Sequence, residues 1–356
     1  MDIKIIKTET PKAKPTREEE ALLGFGKNFS DHMFIMEYDE GEGWHSARIE
    51  PLRPLSLLPS AAVFHYGAEV FEGLKAYRTA EGNVQLFRVE ENAKRLYTSA
   101  ERLCLPPFPV EDFVEAVKAL VKIDADWVPY SEGTSLYLRP FLFATDPALG
   151  LHRICHAMFV IVASPSGSYY KEGVRPVKIM IEREDVRAVR GGTGYAKCGG
   201  NYAAANRAAA KAEEKGYTQV LWLDGVHQKY IEEVGAMNVM LKIAGKIVTP
   251  DLIGTVLPGI TRKSCLELLR AKGYEIEERR ISVDEIVEAL ENGSLEEMWG
   301  TGTAAVVSPV GYLSIDGKEY CINNNEIGEV TKALYDELTG IQWGRIEDTH
   351  GWITRL

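Results

Sequence analysis

The run Gly191-Gly192-Thr193-Gly194-Tyr195-Ala196-Lys197-Cys198-Gly199-Gly200-Asn201-Tyr202 leads without a break into Ala203-Ala-Ala-Asn-Arg-Ala-Ala-Ala-Lys-Ala-Glu-Glu-Lys215. A glycine-rich stretch feeding an alanine-rich one constrains the chain to a loop followed by a strong helix, which Gly216 ends. Apolar strand patterns stand on either side, at Val177 to Ile181 and Gln219 to Leu223, so this part of the chain mixes α and β structure. The small residues also let another molecule approach the backbone around Lys197. No Asp or Glu lies between Val186 and Lys211, so no acid close in sequence pairs with its ammonium. Desolvation lowers a lysine's pKa, and a neutral amine attacks an aldehyde to form a Schiff base. Lys197 is therefore a candidate covalent catalyst, set against the alternative of a loop lysine that faces water.

A chain of 356 residues, 45% hydrophobic and 9% aromatic, is long enough for a large core and two domains. With 41 Lys+Arg against 52 Asp+Glu the net charge is −11, and no basic stripe could track a phosphate backbone, which argues against nucleic acid as a partner. The five cysteines (Cys104, Cys155, Cys198, Cys265, Cys321) are scattered without CxxC spacing. That pattern gives neither a disulfide framework nor a cysteine zinc site, and it suits a reducing cytoplasm, the expected location. The first twenty residues are charged throughout and lack the apolar segment of a secretory signal, so they read as a loose arm. Apolar runs such as Ala157 to Ala163 fall far short of a bilayer, and no membrane partner is expected.

The expected organisation is a flexible arm at 1–20, a small α/β domain at 21–165, a turn-rich connector at 166–175 and a large α/β domain at 176–356. Strands are expected at Met33 to Glu37, Val84 to Arg88, Ser135 to Phe143, Ala157 to Ala163, Asn238 to Ile243 and Lys246 to Thr249, besides the two above. Helical patterns cover Glu91 to Arg102, Val110 to Ile123, Arg262 to Lys272, Val283 to Leu290 and Ile327 to Leu338.

Two segments suit an anion. Pro258-Gly259-Ile260-Thr261 opens a helix, which leaves the N–H groups of Ile260 and Thr261 at its positive end. Trp299-Gly-Thr-Gly-Thr303 offers small residues and hydroxyls in an expected loop, although a Gly-Thr turn is often only a turn. Neither matches a Walker P-loop, and Gly192-Thr-Gly194 lacks the rest of a dinucleotide fingerprint. In Ile231-Glu232-Glu233-Val234, strand alternation points one carboxylate inward, where it needs a cationic partner such as a pyridinium nitrogen; a solvent-facing pair is the alternative. Tyr137 and Arg139 share a face of the strand Thr134 to Pro140, so the arginine could clamp a carboxylate or take part in an internal salt bridge. His152 and His156 are spaced i,i+4 but precede a strand pattern without a carboxylate companion, so no metal is expected there.

Taken together, FEGLKAY (Phe71 to Tyr77), NAKRLYTSAERLCLP (Asn92 to Pro106), TSLYLRP, GYAKCGGNYAAA, QVLWLDG (Gln219 to Gly225), EEVGAMN, LPGITR and GTGTA stand in the order of one family. The chain resembles the branched-chain amino acid aminotransferases, two-domain mixed α/β pyridoxal-phosphate enzymes of fold type IV, from about Phe25 to its C-terminus. The resemblance implies pyridoxal 5′-phosphate as cofactor, with Lys197 forming the internal aldimine and moving the proton. It implies that Tyr202 bonds the cofactor's phenolic oxygen and that Glu233 holds the pyridine nitrogen protonated. Arg95 matches the phosphate-binding arginine, and Ile260, Thr261 and Thr303 complete that cup. The substrate would lie among Phe29, Tyr66, Tyr137, Tyr169 and Ala304, with Leu149 and Leu151 supplied by the other subunit of a homodimer. Arg139 and Tyr137 would receive the distal carboxylate of glutamate, with Gln219 near them. The implied substrates are L-leucine, L-isoleucine, L-valine and L-glutamate with their 2-oxo acids.

Two positions depart from the family pattern: Ala236 stands where members often have threonine, and Ala305 and Ser308 stand where vertebrate members carry a redox CxxC, so no thiol switch is expected. Within the same fold, a D-amino acid aminotransferase and an aminodeoxychorismate lyase are the alternatives. A non-catalytic cofactor carrier is a further one, which the substrate clamp at Arg139 disfavours.

Overall fold

The computed structural model describes residues 1–20, 22–167 and 174–356. The chain forms two compact units. The first takes Met1–Lys171, Ala196–Gly199 and Gly340–Leu356, and the second takes Glu172–Tyr195 and Gly200–Thr339.

In the first unit the strands run across one sheet in the order Lys4–Ile5, Gly43–Pro51, His32–Asp39, His156–Ser166, Ser135–Ala144, Leu74–Arg78, Val84–Phe87 and Ile353–Arg355. Two amphipathic helices, Val89–Arg102 and Val110–Ile123, bury Leu96, Ala100, Phe113, Val117 and Leu120 in one cluster with Phe34, Leu86, Leu138, Phe159 and Ile161 of the sheet. Burial on that scale is the main stabilising term for such a layer. The long strand Ser135–Ala144 pairs with two short segments in succession: Phe71 of Glu69–Phe71 lies opposite Phe141, and Leu74 of Leu74–Arg78 lies opposite Leu138. Gly73 falls between them, and any Cβ there would collide with the Tyr137 hydroxyl. The absence of a side chain at Gly73 thus leaves room for Tyr137.

Residues 1–20, expected as a loose arm, are pinned instead. Lys4–Ile5 adds a parallel edge strand to Gly43–Pro51, the amino terminus meets Glu115 Oε2 at 2.8 Å, and Lys14 reaches Asp31 at 2.6 Å. Buried Glu20 accepts the backbone N–H groups of Tyr130 and Ser131. The amino terminus, Lys14 and Glu20 thus use in these bonds charges that suggest a solvated tail.

The second unit is built on a closed ring of six strands. Ile231–Val234, Gln219–Leu223, Val177–Ile181, Val306–Ile315, Leu295–Gly302 and Met237–Ile243 pair in that order, and Met237–Ile243 pairs back onto Ile231–Val234. Ile179, Leu221, Val234, Val239, Leu241, Met298 and Leu313 are among its buried apolar residues. Ala208 and Ala212 of the helix Gly199–Glu214 cluster with Val220 and Trp222 on the outside of this ring. Small alanines let the helix lie close to the bulky tryptophan.

Two expectations for the region 176–356 change. The segment Gly340–Leu356 joins the first unit, because Ile353–Arg355 pairs with Val84–Phe87 and Trp343 Nε1 donates to Thr134 O at 3.1 Å. Trp299-Gly-Thr-Gly is not a loop: it lies in the strand Leu295–Gly302, where a Cβ at Gly300 would run into Met237. Its glycines serve close packing inside a sheet, a use that turn propensity does not reveal.

Candidate active site

In the first unit, the Lys197 segment is held by its backbone. Lys197 N–H donates to Ser99 Oγ at 3.0 Å, Lys197 O accepts from Phe71 N at 2.9 Å, and the Gly199 N–H donates to Glu69. The half-buried amine lies over the Phe71 ring, 4.6 Å from its centroid. Burial, with Arg95 adding to it, pushes the Lys197 ammonium down to about 8, while Glu72 and Tyr137 pull the other way. At pH 7 about a tenth of such amines are neutral, against ~0.03% for an ordinary lysine. The rate at which the cofactor-stripped protein takes up pyridoxal phosphate should therefore rise about fivefold between pH 7 and 8 and flatten above 9. A rate still climbing tenfold per unit between pH 9 and 10, followed by visible absorbance, would contradict a depressed amine.

Arg95 lies against Glu72, with Nε and Nη2 donating to the two carboxylate oxygens at 2.7 and 2.8 Å. Fully buried Glu72 also accepts from Asn92 Nδ2 at 2.8 Å. This fork holds the guanidinium at a fixed angle. Arg139 donates from Nη2 to the Tyr137 hydroxyl at 2.8 Å, and its guanidinium lies 4.7 Å from the Phe71 centroid. Its buried Nε has no hydrogen-bond partner among the described residues. A buried donor without an acceptor is costly, so this one is suited to an acceptor that arrives with a ligand. Phe25 packs edge-on against Tyr137 at 4.8 Å.

In the second unit, Glu232 and Glu233 are both buried, contrary to the expectation that alternation turns one outward. Their strand is part of the closed ring and is covered on both faces. Glu232 Oε1 accepts from Thr255 Oγ1 at 2.5 Å, and burial raises its carboxyl pKa. Glu233 Oε2 is 2.9 Å from Arg187 Nε, while Oε1 accepts from Leu257 N at 2.7 Å. Leu257 is followed by Pro258-Gly259 and the helix Ile260–Ala271, whose N-cap Gly259 provides no side-chain bond to the first turn. The amides of Ile260 and Thr261 lie in the first turn of this helix, where N–H groups have no intrahelical acceptor. Asn238 lies against Gly259, donates to Leu257 O at 2.8 Å and is in register with Thr301. Thr301 Oγ1 is buried and without a partner among the described residues.

The structure brings Lys197, Tyr137, Arg139 and Arg95 together in the first unit and places Glu233, Ile260 and Thr261 near one turn of the second. Tyr202 is half-buried in the first turn of its helix, and half-buried Thr303 and Ala304 follow the strand Leu295–Gly302. Gln219 packs against Gly235, where any Cβ would strike its amide. Phe29, Tyr66, Leu149 and Leu151 are exposed, and the Tyr66 hydroxyl donates to Leu149 O of the same chain. Tyr169 lies outside the described residues. Sequence reasoning missed Glu69, Glu72, Phe71, Ser99, Arg187, Asn238 and Thr301. Glu69 and Glu72 could have been found as acids within the apolar run from Ala68 to Leu74.

Each unit carries groups that suit pyridoxal 5′-phosphate: the first an amine of lowered basicity, the second a buried carboxylate for a protonated ring nitrogen and a helix start without a side-chain cap for a phosphate. Comparison with known proteins agrees. Residues 69–312 match the model of the amino-transferase class IV family. The branched-chain-amino-acid aminotransferase 2 of Bacillus subtilis (strain 168) is 52% identical over 99% of this chain and 97% of its own length. Among solved structures, the branched-chain amino acid aminotransferase of Escherichia coli has a TM-score of 0.75 and 26% identity, covering 90% of this chain and 98% of that one. The T.th. branched-chain amino acid aminotransferase, complexed with N-(5′-phosphopyridoxyl)-L-glutamate, has a TM-score of 0.73 and 28% identity over 90% of this chain and 97% of its own. The chain is a transaminase of the class IV aminotransferase family, among its branched-chain amino acid aminotransferases, with pyridoxal 5′-phosphate as cofactor.

Proposed function

We propose that this chain moves the amino group between L-leucine, L-isoleucine or L-valine and 2-oxoglutarate, giving the branched-chain 2-oxo acids and L-glutamate. The observation that carries this is Arg139: its guanidinium lies against the rings of Phe71 and Tyr137, and its buried Nε lacks an acceptor among the described residues. Apolar walls accept a branched side chain, and the one guanidinium receives the distal carboxylate of glutamate. Similarity to the T.th. enzyme, complexed with a pyridoxyl-glutamate, supports the second half of that pocket's task.

When bound, pyridoxal phosphate supplies the aldehyde and a ring that draws electrons from the substrate's Cα. Lys197 would hold the cofactor through its amine and, once freed, would move the proton between the substrate's Cα and the cofactor's C4′. Glu233, fixed by Arg187 and the Leu257 amide, keeps the ring nitrogen protonated. For the phosphate the first unit would offer Arg95 and the second the amides of Ile260 and Thr261 with the Thr303 hydroxyl, and Tyr202 would bond the phenolic oxygen. The substrate side chain would contact Phe29, Tyr66, Tyr137 and Ala304, with Gln219 at its carboxylate end.

Leu58, Phe64, Leu149 and Leu151 are large exposed apolar side chains, which supports a homodimer in which Leu149 and Leu151 complete the partner's pocket. No helix among the described residues is long and apolar enough to cross a membrane. The scattered cysteines, which give no disulfide framework, support a cytoplasmic location. The test is a panel of L-leucine, L-isoleucine, L-valine and D-alanine with 2-oxoglutarate, following the oxo acids formed. Consumption of the three branched L-amino acids with release of L-glutamate is expected; turnover of D-alanine alone would overturn the assignment.

A further inference from the structure

The pocket proposed above must accept an uncharged side chain in one half-reaction and a carboxylate in the other, which poses a charge problem for Arg139. Glu72 does not solve it, because both of its oxygens are engaged by Arg95, with Asn92 added to one of them. Glu69 stands differently. It shares one face of the short strand Glu69–Phe71 with Phe71, whose ring carries the Lys197 amine at 4.6 Å and the Arg139 guanidinium at 4.7 Å. Its only hydrogen bond among the described residues comes from the Gly199 N–H, and a side chain at position 199 would collide with its Oε1. The carboxyl is therefore fixed in place beside two cations and retains unused acceptor capacity.

We propose that Glu69 is a specificity-determining residue: its carboxylate balances Arg139 when a branched side chain fills the pocket, and it takes up a proton from solvent when the distal carboxylate of glutamate or 2-oxoglutarate arrives. This rests on Arg139 as the receiver of that carboxylate. Two anions facing one guanidinium repel each other, and protonating the half-buried one removes the repulsion at the cost of one proton bound per anionic substrate. The charged groups that face Glu69 are Arg139 from the neighbouring strand and Lys197 from its loop; Arg95, Glu72 and Tyr137 face Lys197 in turn. Burial already raises the Glu69 carboxyl pKa, while the Gly199 amide, Arg139 and Lys197 hold it back. An added anion near Arg139 weakens that restraint, so proton uptake follows.

The experiment measures KM and kcat of the holoenzyme for L-leucine and for 2-oxoglutarate from pH 6.5 to 9, in wild type, Glu69→Gln and Arg139→Ala. Glutamine keeps an oxygen for the Gly199 amide and loses the charge. The expected result is a 2-oxoglutarate KM that rises with pH in wild type. In Glu69→Gln it should be about three- to tenfold lower at pH 8 and clearly less steep with pH, the remaining slope being that of the Lys197 amine, with leucine's KM changed by less than about twofold. Equal shifts for both substrates, or an unchanged pH profile, would overturn the role of Glu69. If Arg139→Ala also fails to separate the two substrates, the assignment of Arg139 itself is wrong; if it separates them while Glu69→Gln does not, only the present proposal fails.

Discussion

Lys197→Ala is expected to lower transamination of L-leucine with 2-oxoglutarate by about 10⁴-fold or more, since it removes the covalent anchor and the proton carrier in one step. Steady-state rates at saturating cofactor and substrate check this, and a loss below about tenfold would sink the role. The fold should survive, because the segment is held by the backbone bonds to Ser99 and Phe71 rather than by the amine. A sign argument adds a stability signature. The amine's pKa is about 8 in the folded chain and near 10.4 when unfolded, so the unfolded state binds more protons between those values. In the cofactor-free protein the Lys197 contribution to stability therefore rises with pH across that window, and below pH 8 the buried ammonium is a liability. Alanine removes that part of the slope, so cofactor-free Lys197→Ala should unfold at no lower urea concentration than wild type at pH 7.

The second large effect concerns Arg139→Ala. Turnover of L-glutamate should fall roughly 10- to 150-fold in kcat/KM, the loss of a charge-assisted hydrogen bond, while L-leucine loses far less. The guanidinium rests on Phe71 and bonds the Tyr137 hydroxyl, so its removal also loosens the aromatic wall, and a small loss for leucine is part of the expectation. Equal losses for both substrates would mean that Arg139 holds the pocket together without reading the carboxylate.

Much of the local structure was legible from patterning. Val110–Ile123, Val177–Ile181, Gln219–Leu223 and Lys246–Thr249 are bounded as expected, because a 3.6-residue or two-residue apolar period meets clear turn residues there. The helix expected at Arg262 to Lys272 runs from Ile260 to Ala271, starting two residues earlier, directly after the Pro258-Gly259 turn. Properties that depend on closure and on distant partners were not legible. Burial of both Glu232 and Glu233 follows from a strand that closes a ring, and Arg187, their cationic neighbour, lies far away in sequence. The amino-terminal residues look solvated until Asp31, Glu115 and the Tyr130 and Ser131 amides supply partners for Lys14, the amino terminus and Glu20. Lys197 has no acid near it in sequence, yet Glu72 acts on it across more than a hundred residues. Gly340–Leu356 returns to the first unit through Trp343 and the strand Ile353–Arg355, contacts that no local window contains.

Lys75 provides the sharpest control on the central claim. It is a buried lysine whose ammonium burial pushes to about 8 as well, so lowered basicity alone does not single out the catalytic amine. What distinguishes Lys197 is its place in a glycine-rich segment held by Ser99, Phe71 and Glu69 beside Arg139. Borohydride reduction of the holoenzyme, followed by digestion and mass mapping, tests this directly. The cofactor's mass should appear on the peptide containing Lys197 and on no other; finding it on Lys75, or on no lysine at all, would contradict the account.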